Sequence, residues 1–249
     1  MAYCAVLHLC SLPPPANIYM YKHTRVCTLR PPLRRVSKYF AQDFMQRVPP
    51  IHAARYGPTY RDFWPSLFVG PSGSTTDLHV DAWCSNFWMA MLRGRKRWVL
   101  FAASQASRLY KDTFTGTFGV NSTAFRWLSN DTDTGAPTLA LATGVRERHP
   151  LAARLTAAVA VLEPGDLLFV PANTPHFVEN LGPTLALSGN YVDGSNFECA
   201  TRELRAWGLL QPSARALVEA FEQADFDTHM DMWLPDEVAW AAFKAPPPA

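Results

Sequence analysis

The rhythm of apolar and polar positions changes several times along this chain. Between residues 37 and 47 the apolar positions Phe40, Ala41, Phe44 and Met45 recur at helical spacing. Ser37 stands where an N-cap belongs and Pro49–Pro50 stops the run, so the pattern predicts a helix on the outside of a sheet. From Arg61 the rhythm shortens. Ser66–Val69, Leu78–Asp81, Asn86–Leu92 and Arg97–Phe101 are aromatic or β-branched runs separated by turn residues such as Gly70-Pro71-Ser72-Gly73 and Arg93-Gly94, and they predict short strands. Residues 103–156 are irregular, with a predicted helix over Ser122–Leu128 and a polar loop over Ser129–Gly135; the segment reads as an insertion covering one end of the strands. Strands then resume at Ala158–Leu162, Leu167–Val170, His176–Glu179 and Leu185–Val192. From Phe197 the spacing is helical again: Glu198–Leu210, Pro212–Ala224 with Ser213 as its cap, and a shorter stretch over Pro235–Phe243.

About eight short strands in two groups of four predict a mainly β chain, a double-stranded β-helix or jelly-roll barrel flanked by α-helices. Three parts follow: a basic arm and helix over 1–57, the barrel over 58–195 with its insertion at about 103–156, and C-terminal helices over 196–249. The 249 residues suffice for one large domain, and 48% hydrophobic against 18% charged residues excludes general disorder. A net charge of +2 gives no ground for a nucleic-acid or membrane partner, and no apolar run approaches the length of a membrane span. Met1–Leu12 is apolar but lacks a basic start and runs into Pro13-Pro14-Pro15, a poor secretory signal. The sequons at Asn121 and Asn130 matter only in a secreted protein. Five cysteines (Cys4, Cys10, Cys27, Cys84 and Cys199) form no CxxC pair and no even framework, which reads as unpaired thiols in a reducing compartment. Nucleus or cytoplasm is the default location.

The chemistry centres on Leu78-His79-Val80-Asp81. In extended chain His79 and Asp81 project to one face. A tight turn at Glu163-Pro164-Gly165-Asp166, an apolar strand, and then Pro175-His176 would return a second histidine to the first. Two histidines and one carboxylate occupy one face of an octahedral Fe(II) and leave three positions for substrate, cosubstrate and dioxygen. Such a centre needs two electrons beyond those of its substrate, and oxidative decarboxylation of a 2-oxo acid supplies them. The far carboxylate of that acid needs a cation and a hydroxyl inside the barrel. Lys96 is the candidate cation, because alternation turns it inward with Trp98 and Leu100 while Arg95 and Arg97 turn outward. Thr76 is the candidate hydroxyl. Trp64, Trp83, Trp88, Trp98 and Trp127 read as core or rim, with Trp83 and Cys84 placed to line the entrance. His8, His23, His52, His149 and His229 read as surface or structural.

The run from Phe68 to Asp81, the block Gly94-Arg95-Lys96-Arg97-Trp98-Val99-Leu100-Phe101, and Glu163–Pro171 with Pro175-His176 resemble the JmjC (jumonji C) family of Fe(II)- and 2-oxoglutarate-dependent oxygenases. Asn180-Leu181 and Asn190-Tyr191 extend the likeness, which covers residues 60–195. It is strongest toward the small JmjC hydroxylases, the arginine demethylase and lysyl hydroxylase branch. The resemblance implies a cupin-like barrel in which His79, Asp81 and His176 hold the iron and Thr76 and Lys96 take the distal carboxylate of 2-oxoglutarate. It further implies that Asn190 and Ser188 lie beside the cosubstrate. It implies a dioxygenase that uses Fe(II), 2-oxoglutarate and O₂, with a protein side chain as substrate, and allows a homodimer through the C-terminal helices. An N-methyl demethylase, a catalytically silent JmjC-like binding module and a simple cupin are the rival readings. One departure stands out: the family often places an asparagine facing the cosubstrate on the strand before the Gly-x-Lys run, whereas alternation here turns Phe87 and Met89 inward and Asn86 away. Tyr60 stands near the position of a tyrosine that often meets the distal carboxylate.

Overall fold

The computed structural model describes residues 43–47, 66–112, 116–128 and 138–223. The expected basic arm, the helix over Pro235–Phe243, Tyr60, Trp64, Cys4, Cys10 and Cys27 fall outside them. Of the helix expected over 37–47 only the end falls inside, and there Phe44–Arg47 make a 3-10 turn.

Ten strands are described: β1 (Ser66–Gly70), β2 (Thr75–His79), β3 (Asn86–Arg93), β4 (Lys96–Phe101), β5 (Phe125–Leu128), β6 (Thr138–Leu141), β7 (Ala157–Leu162), β8 (Leu167–Val170), β9 (His176–Asn180) and β10 (Thr184–Tyr191). Eight of them form two four-stranded antiparallel sheets. The first, here the major sheet, runs β1-β10-β3-β8; the second, the minor sheet, runs β2-β9-β4-β7. From β1 to β4 and again from β7 to β10, successive strands cross from one sheet to the other, and this alternation winds the chain into the expected double-stranded β-helix. The inward residues of both sheets (Phe87, Met89, Met91, Val170 and Ala186 of the major, Trp98, Leu162 and Val178 of the minor) meet in one buried cluster, the barrel interior. Between β3 and β4 the chain reverses at Gly94, whose φ is +79°, and a Cβ there would collide with the carbonyl of Pro183. Only glycine meets both demands.

The described residues of the segment between β4 and β7 do not gather at one end of the strands. They lie on the outer face of the minor sheet, where Leu109, Val120, Ala124 and Val145 pack against Leu78, Val99, Phe101 and Phe177. Within the segment, Val145–Arg148 form a short helix, α1. The helix expected over Ser122–Leu128 is instead a 3-10 turn, Ser122–Ala124, leading into β5. Phe125 and Trp127 alternate with Arg126 and Leu128, and β6 supplies the pairing partner. On this outer face Arg97 reaches Glu179 at 3.2 Å and lies 4.1 Å over the Trp127 ring.

After β10 come α2 (Phe197–Gly208) and α3 (Pro212–Gln223). The second starts one residue before the expected cap Ser213, since proline is at home in a first helical turn. Ala200 and Leu204 of α2 meet Ala214, Leu217, Val218 and Phe221 of α3, and Trp83 enters this cluster from the turn after β2. Trp83 and Cys84 therefore do not line an entrance; both are buried. Cys84 is joined to Cys199 of α2 in a disulfide with Cα atoms 5.8 Å apart. The reading of unpaired thiols is thus overturned, and the inferred reducing compartment loses its support. A pair 115 residues apart in sequence leaves no local spacing to recognise.

Candidate metal site

The inner face of the minor sheet is organised in rows. His79 of β2 pairs with His176 of β9, which pairs with Leu100 of β4. One row along, Thr76, Val178 and Trp98 stand abreast, and beyond them Lys96 pairs with Asn180. Three residues separate Thr76 from His79 on β2 while two separate their partners on β9, so one extra residue is accommodated as a β-bulge. The bulge is what lets both Thr76 and His79 face inward. Asp77 holds it: one carboxylate oxygen accepts the N–H of Leu78 at 2.8 Å and that of Ser122 at 2.7 Å.

Asp81 lies beyond the end of β2, not within a strand. Its backbone is nevertheless extended, at φ −64° and ψ 146°, and the next turn carries Trp83 and Cys84 through two successive left-handed conformations. Non-glycine residues pay for that geometry unless packing over-determines it. Here Trp83 is buried among the C-terminal helices and Cys84 is covalently tied to α2. The disulfide also touches the other ligand loop: Asn173 Nδ2 lies 2.9 Å from Cys84 Sγ and 3.5 Å from Cys199 Sγ. Asn86, facing away from the barrel as expected, accepts the N–H of Ala172 at 2.9 Å. Both chain segments that deliver ligands are thus fixed from behind.

The result is a cluster in which ligand atoms of His79, Asp81 and His176 all lie within 4.8 Å of one another. The imidazole centroids are 4.2 Å apart. Each histidine directs Nδ1 at the main-chain carbonyl two residues earlier, His79 at Asp77 (2.7 Å) and His176 at Thr174 (2.8 Å). A carbonyl only accepts, so Nδ1 carries the proton and Nε2 keeps a lone pair for a cation. Burial, reinforced by the neighbouring His79, pushes the imidazole of His176 down to about 4. It is therefore neutral and ligating at neutral pH. The donor set of two imidazoles and one carboxylate suits a divalent transition metal such as Fe(II).

Deeper in the barrel Lys96 is buried, 5% exposed. Ser188 and Asn190 of β10 face it from the major sheet, in line with Met89 and Phe87 of β3. Asn190 donates to Ser85 Oγ at 2.9 Å, in the turn that follows Asp81. Ser188 Oγ is fully buried with no hydrogen-bond partner, and so is Trp98 Nε1. Buried polar groups in native structures are satisfied almost without exception, and two orphans facing one interior fit a polar guest. Of the residues singled out in the sequence, His79, Asp81 and His176 come together, and Thr76, Lys96, Ser188 and Asn190 take inner-face positions on the two sheets; Trp98, read from the sequence only as core or rim, lies two residues after Lys96 on the same inner face. Beside Lys96, Asn180 donates to Ser74 Oγ at 2.6 Å, and a Cβ at Gly70 would collide with its amide.

Comparison with known proteins agrees with this geometry. Residues 17–196 match the family described as Cupin-like domain. The 2-oxoglutarate and iron-dependent oxygenase JMJD4 of Danio rerio is 26% identical over 213 residues, which are 78% of this chain and 44% of that protein. Its namesake in Homo sapiens is 27% identical over 180 residues, 69% of this chain and 37% of that protein. The bifunctional arginine demethylase and lysyl-hydroxylase psr-1 of Caenorhabditis briggsae is 27% identical over 163 residues, 65% of this chain and 36% of that protein. The chain spans less than half the length of these relatives.

Proposed function

The chain belongs to the cupin-like domain family, in its JmjC branch, and from that membership we propose that it is an Fe(II)- and 2-oxoglutarate-dependent dioxygenase that hydroxylates a side chain of a protein substrate. The observation that carries this reading is the convergence of His79, Asp81 and His176, each imidazole held in the ligating tautomer by a carbonyl of its own strand end. These three residues hold the iron on one face. Lys96 and Thr76 receive the distal carboxylate of 2-oxoglutarate, while Ser188 and Asn190 border it from the major sheet. Lys96 lies four residues along β4 from Leu100, the residue in the histidine row, so about 13 Å of strand separates the two ends of the site. A dicarboxylate chelated at the metal and met by a lysine side chain would fill that distance.

When bound, iron and cosubstrate supply the oxidation: R–H, 2-oxoglutarate and O₂ give R–OH, succinate and CO₂, one oxygen atom going to each organic product. The protein contributes position and a dry, polarised wall. His79, Asp81 and His176 would hold the metal, and the buried side chain of Lys96 would fix which end of the cosubstrate lies deep. If the attacked carbon is an N-methyl group, the hydroxymethyl product releases formaldehyde; the Caenorhabditis briggsae relative, a bifunctional arginine demethylase and lysyl-hydroxylase, keeps that outcome in view.

The test is 2-oxoglutarate turnover by the purified protein with Fe(II), ascorbate and O₂. Succinate should form in the wild type and fall to background in His79→Ala, and Fe(II)-dependent binding of 2-oxoglutarate should accompany it. Absence of both binding and turnover in the wild type would leave a silent JmjC-like module instead.

A further inference from the structure

Trp98 belongs to the site more closely than a packing residue would. It is 1% exposed and occupies the middle row of the inner face, abreast of Val178 and Ala160, between the histidine row and Lys96. Its ring stacks on His176, centroids 5.3 Å apart and planes 27° from parallel, and lies 5.8 Å from the ring of Phe87. Its Nε1 is buried and has no hydrogen-bond partner. An indole N–H can only donate, and among the described residues no acceptor reaches it. Burying such a donor costs free energy unless an acceptor arrives. The second orphan of the interior, Ser188 Oγ, looks in from the opposite sheet. Two unsatisfied polar groups on the inner faces of opposite sheets, with Trp98 in the row between His176 and Lys96, point to an oxygen-rich guest.

We propose that the indole N–H of Trp98 donates a hydrogen bond to a carboxylate of the 2-oxo acid cosubstrate, making Trp98 a binding residue alongside Lys96, Thr76 and Ser188. The inference rests on the dioxygenase reading and deepens it. It gives one side chain two tasks: the face of the ring supports the ligand His176, and the edge engages the cosubstrate. The two tasks separate by substitution, because phenylalanine keeps an aromatic face and loses the N–H.

The experiment is calorimetric titration of Mn(II)-loaded protein with 2-oxoglutarate, beside titration of the apo-protein with Mn(II). Trp98→Phe should weaken 2-oxoglutarate binding by about tenfold or more, the range of a hydrogen bond to a charged group, and leave Mn(II) affinity within about twofold. Equal cosubstrate affinity in variant and wild type would overturn the proposal, and so would a loss of metal affinity as large as the loss of cosubstrate affinity. A second measurement needs no variant. In indole-¹⁵N-labelled wild type, which has eight tryptophans, one side-chain N–H signal should move downfield when 2-oxoglutarate joins the Zn(II)-loaded protein; no such movement would sink the assignment. Failure of the wild type to bind 2-oxoglutarate at all would overturn the dioxygenase reading, whereas normal wild-type binding without a Trp98 effect would overturn this inference alone.

Discussion

The two sheets of the barrel share a strand count and an interior, yet they are built for different work. The minor sheet carries His79, His176, Thr76, Lys96 and Trp98 on its inner face, and its outer face is sealed by the insertion through Val120, Leu109 and their neighbours. The major sheet lends the interior mostly apolar side chains plus Ser188 and Asn190, and its outer face is covered unevenly: Trp88 and Tyr191 are buried there, while Leu167 and Phe169 of β8 are 44% and 46% exposed. Burial on both faces excludes water from one wall and fixes its side chains against solid packing. The wall that carries His79 and His176 is the one packed against the insertion, whose described residues support it from behind.

This contrast predicts unequal costs for equal deletions. Phe101 of β4 is 1% exposed and lies 5.4 Å from Phe125 of the insertion, whereas Phe169 of β8 faces solvent. Phe101→Ala should destabilise the protein by about 3–5 kcal/mol and Phe169→Ala by about 1 kcal/mol or less. Urea unfolding of both variants reads the difference. Similar losses would mean that the insertion is a loose cover and that the two sheets are held alike.

The next effect is a pH dependence confined to the minor sheet. His176 has its imidazole pushed down from 6.5 to about 4, first by burial and then by His79. In the metal-free protein the unfolded chain therefore takes up a proton between these values that the folded chain refuses. Stability is fully present above pH 6.5 and declines as the pH falls toward about 4, by up to about 3 kcal/mol for this one group. Thermal unfolding of apo-protein across that window should show the decline, and His176→Gln should flatten it. A slope unchanged by the substitution would place its origin elsewhere.

How far the sequence disclosed all this depended on whether local rules governed each residue. Strict alternation was enough to turn Lys96 inward and Arg95 and Arg97 outward, and the structure has Lys96 buried while Arg95 and Glu163 form an exposed pair. The two histidines and Asp81 were legible because a strand end and a tight turn constrain where such residues can return. Alternation could not have justified Thr76 with His79, since an odd spacing puts them on opposite faces unless a bulge intervenes. The bond between Cys84 and Cys199, the packing of Trp83 into the C-terminal helices and the seat of the insertion on the minor sheet are all tertiary choices. Each joins segments that no periodicity relates. The strand over Phe125–Leu128 was masked by a helix-like start and became a strand because β6 was there to pair with it.

The bulge also supplies the smallest and sharpest test of the comparison. Here the covering insertion reaches through to the register of the inner face, because the same oxygen of Asp77 accepts from Leu78 inside the bulge and from Ser122 in the insertion. Removing that carboxylate leaves two part-buried N–H donors without their acceptor, and hydrogen bonds to a charged group contribute about 1.5–3 kcal/mol each before water compensates. Asp77→Ala should therefore cost only about 1–2 kcal/mol of stability, since this edge of the sheet is partly open to solvent. The more telling consequence is local. With the bulge slackened, Thr76 is no longer pinned inward while His79 still pairs with His176, so 2-oxoglutarate affinity should fall severalfold with Mn(II) affinity nearly retained. Asp77→Asn, which keeps an accepting oxygen, should restore most of both. Cosubstrate titration of the two variants decides it: if Asp77→Ala binds 2-oxoglutarate as the wild type does, the insertion stabilises the wall without setting its register, and the link between outer cover and inner geometry fails.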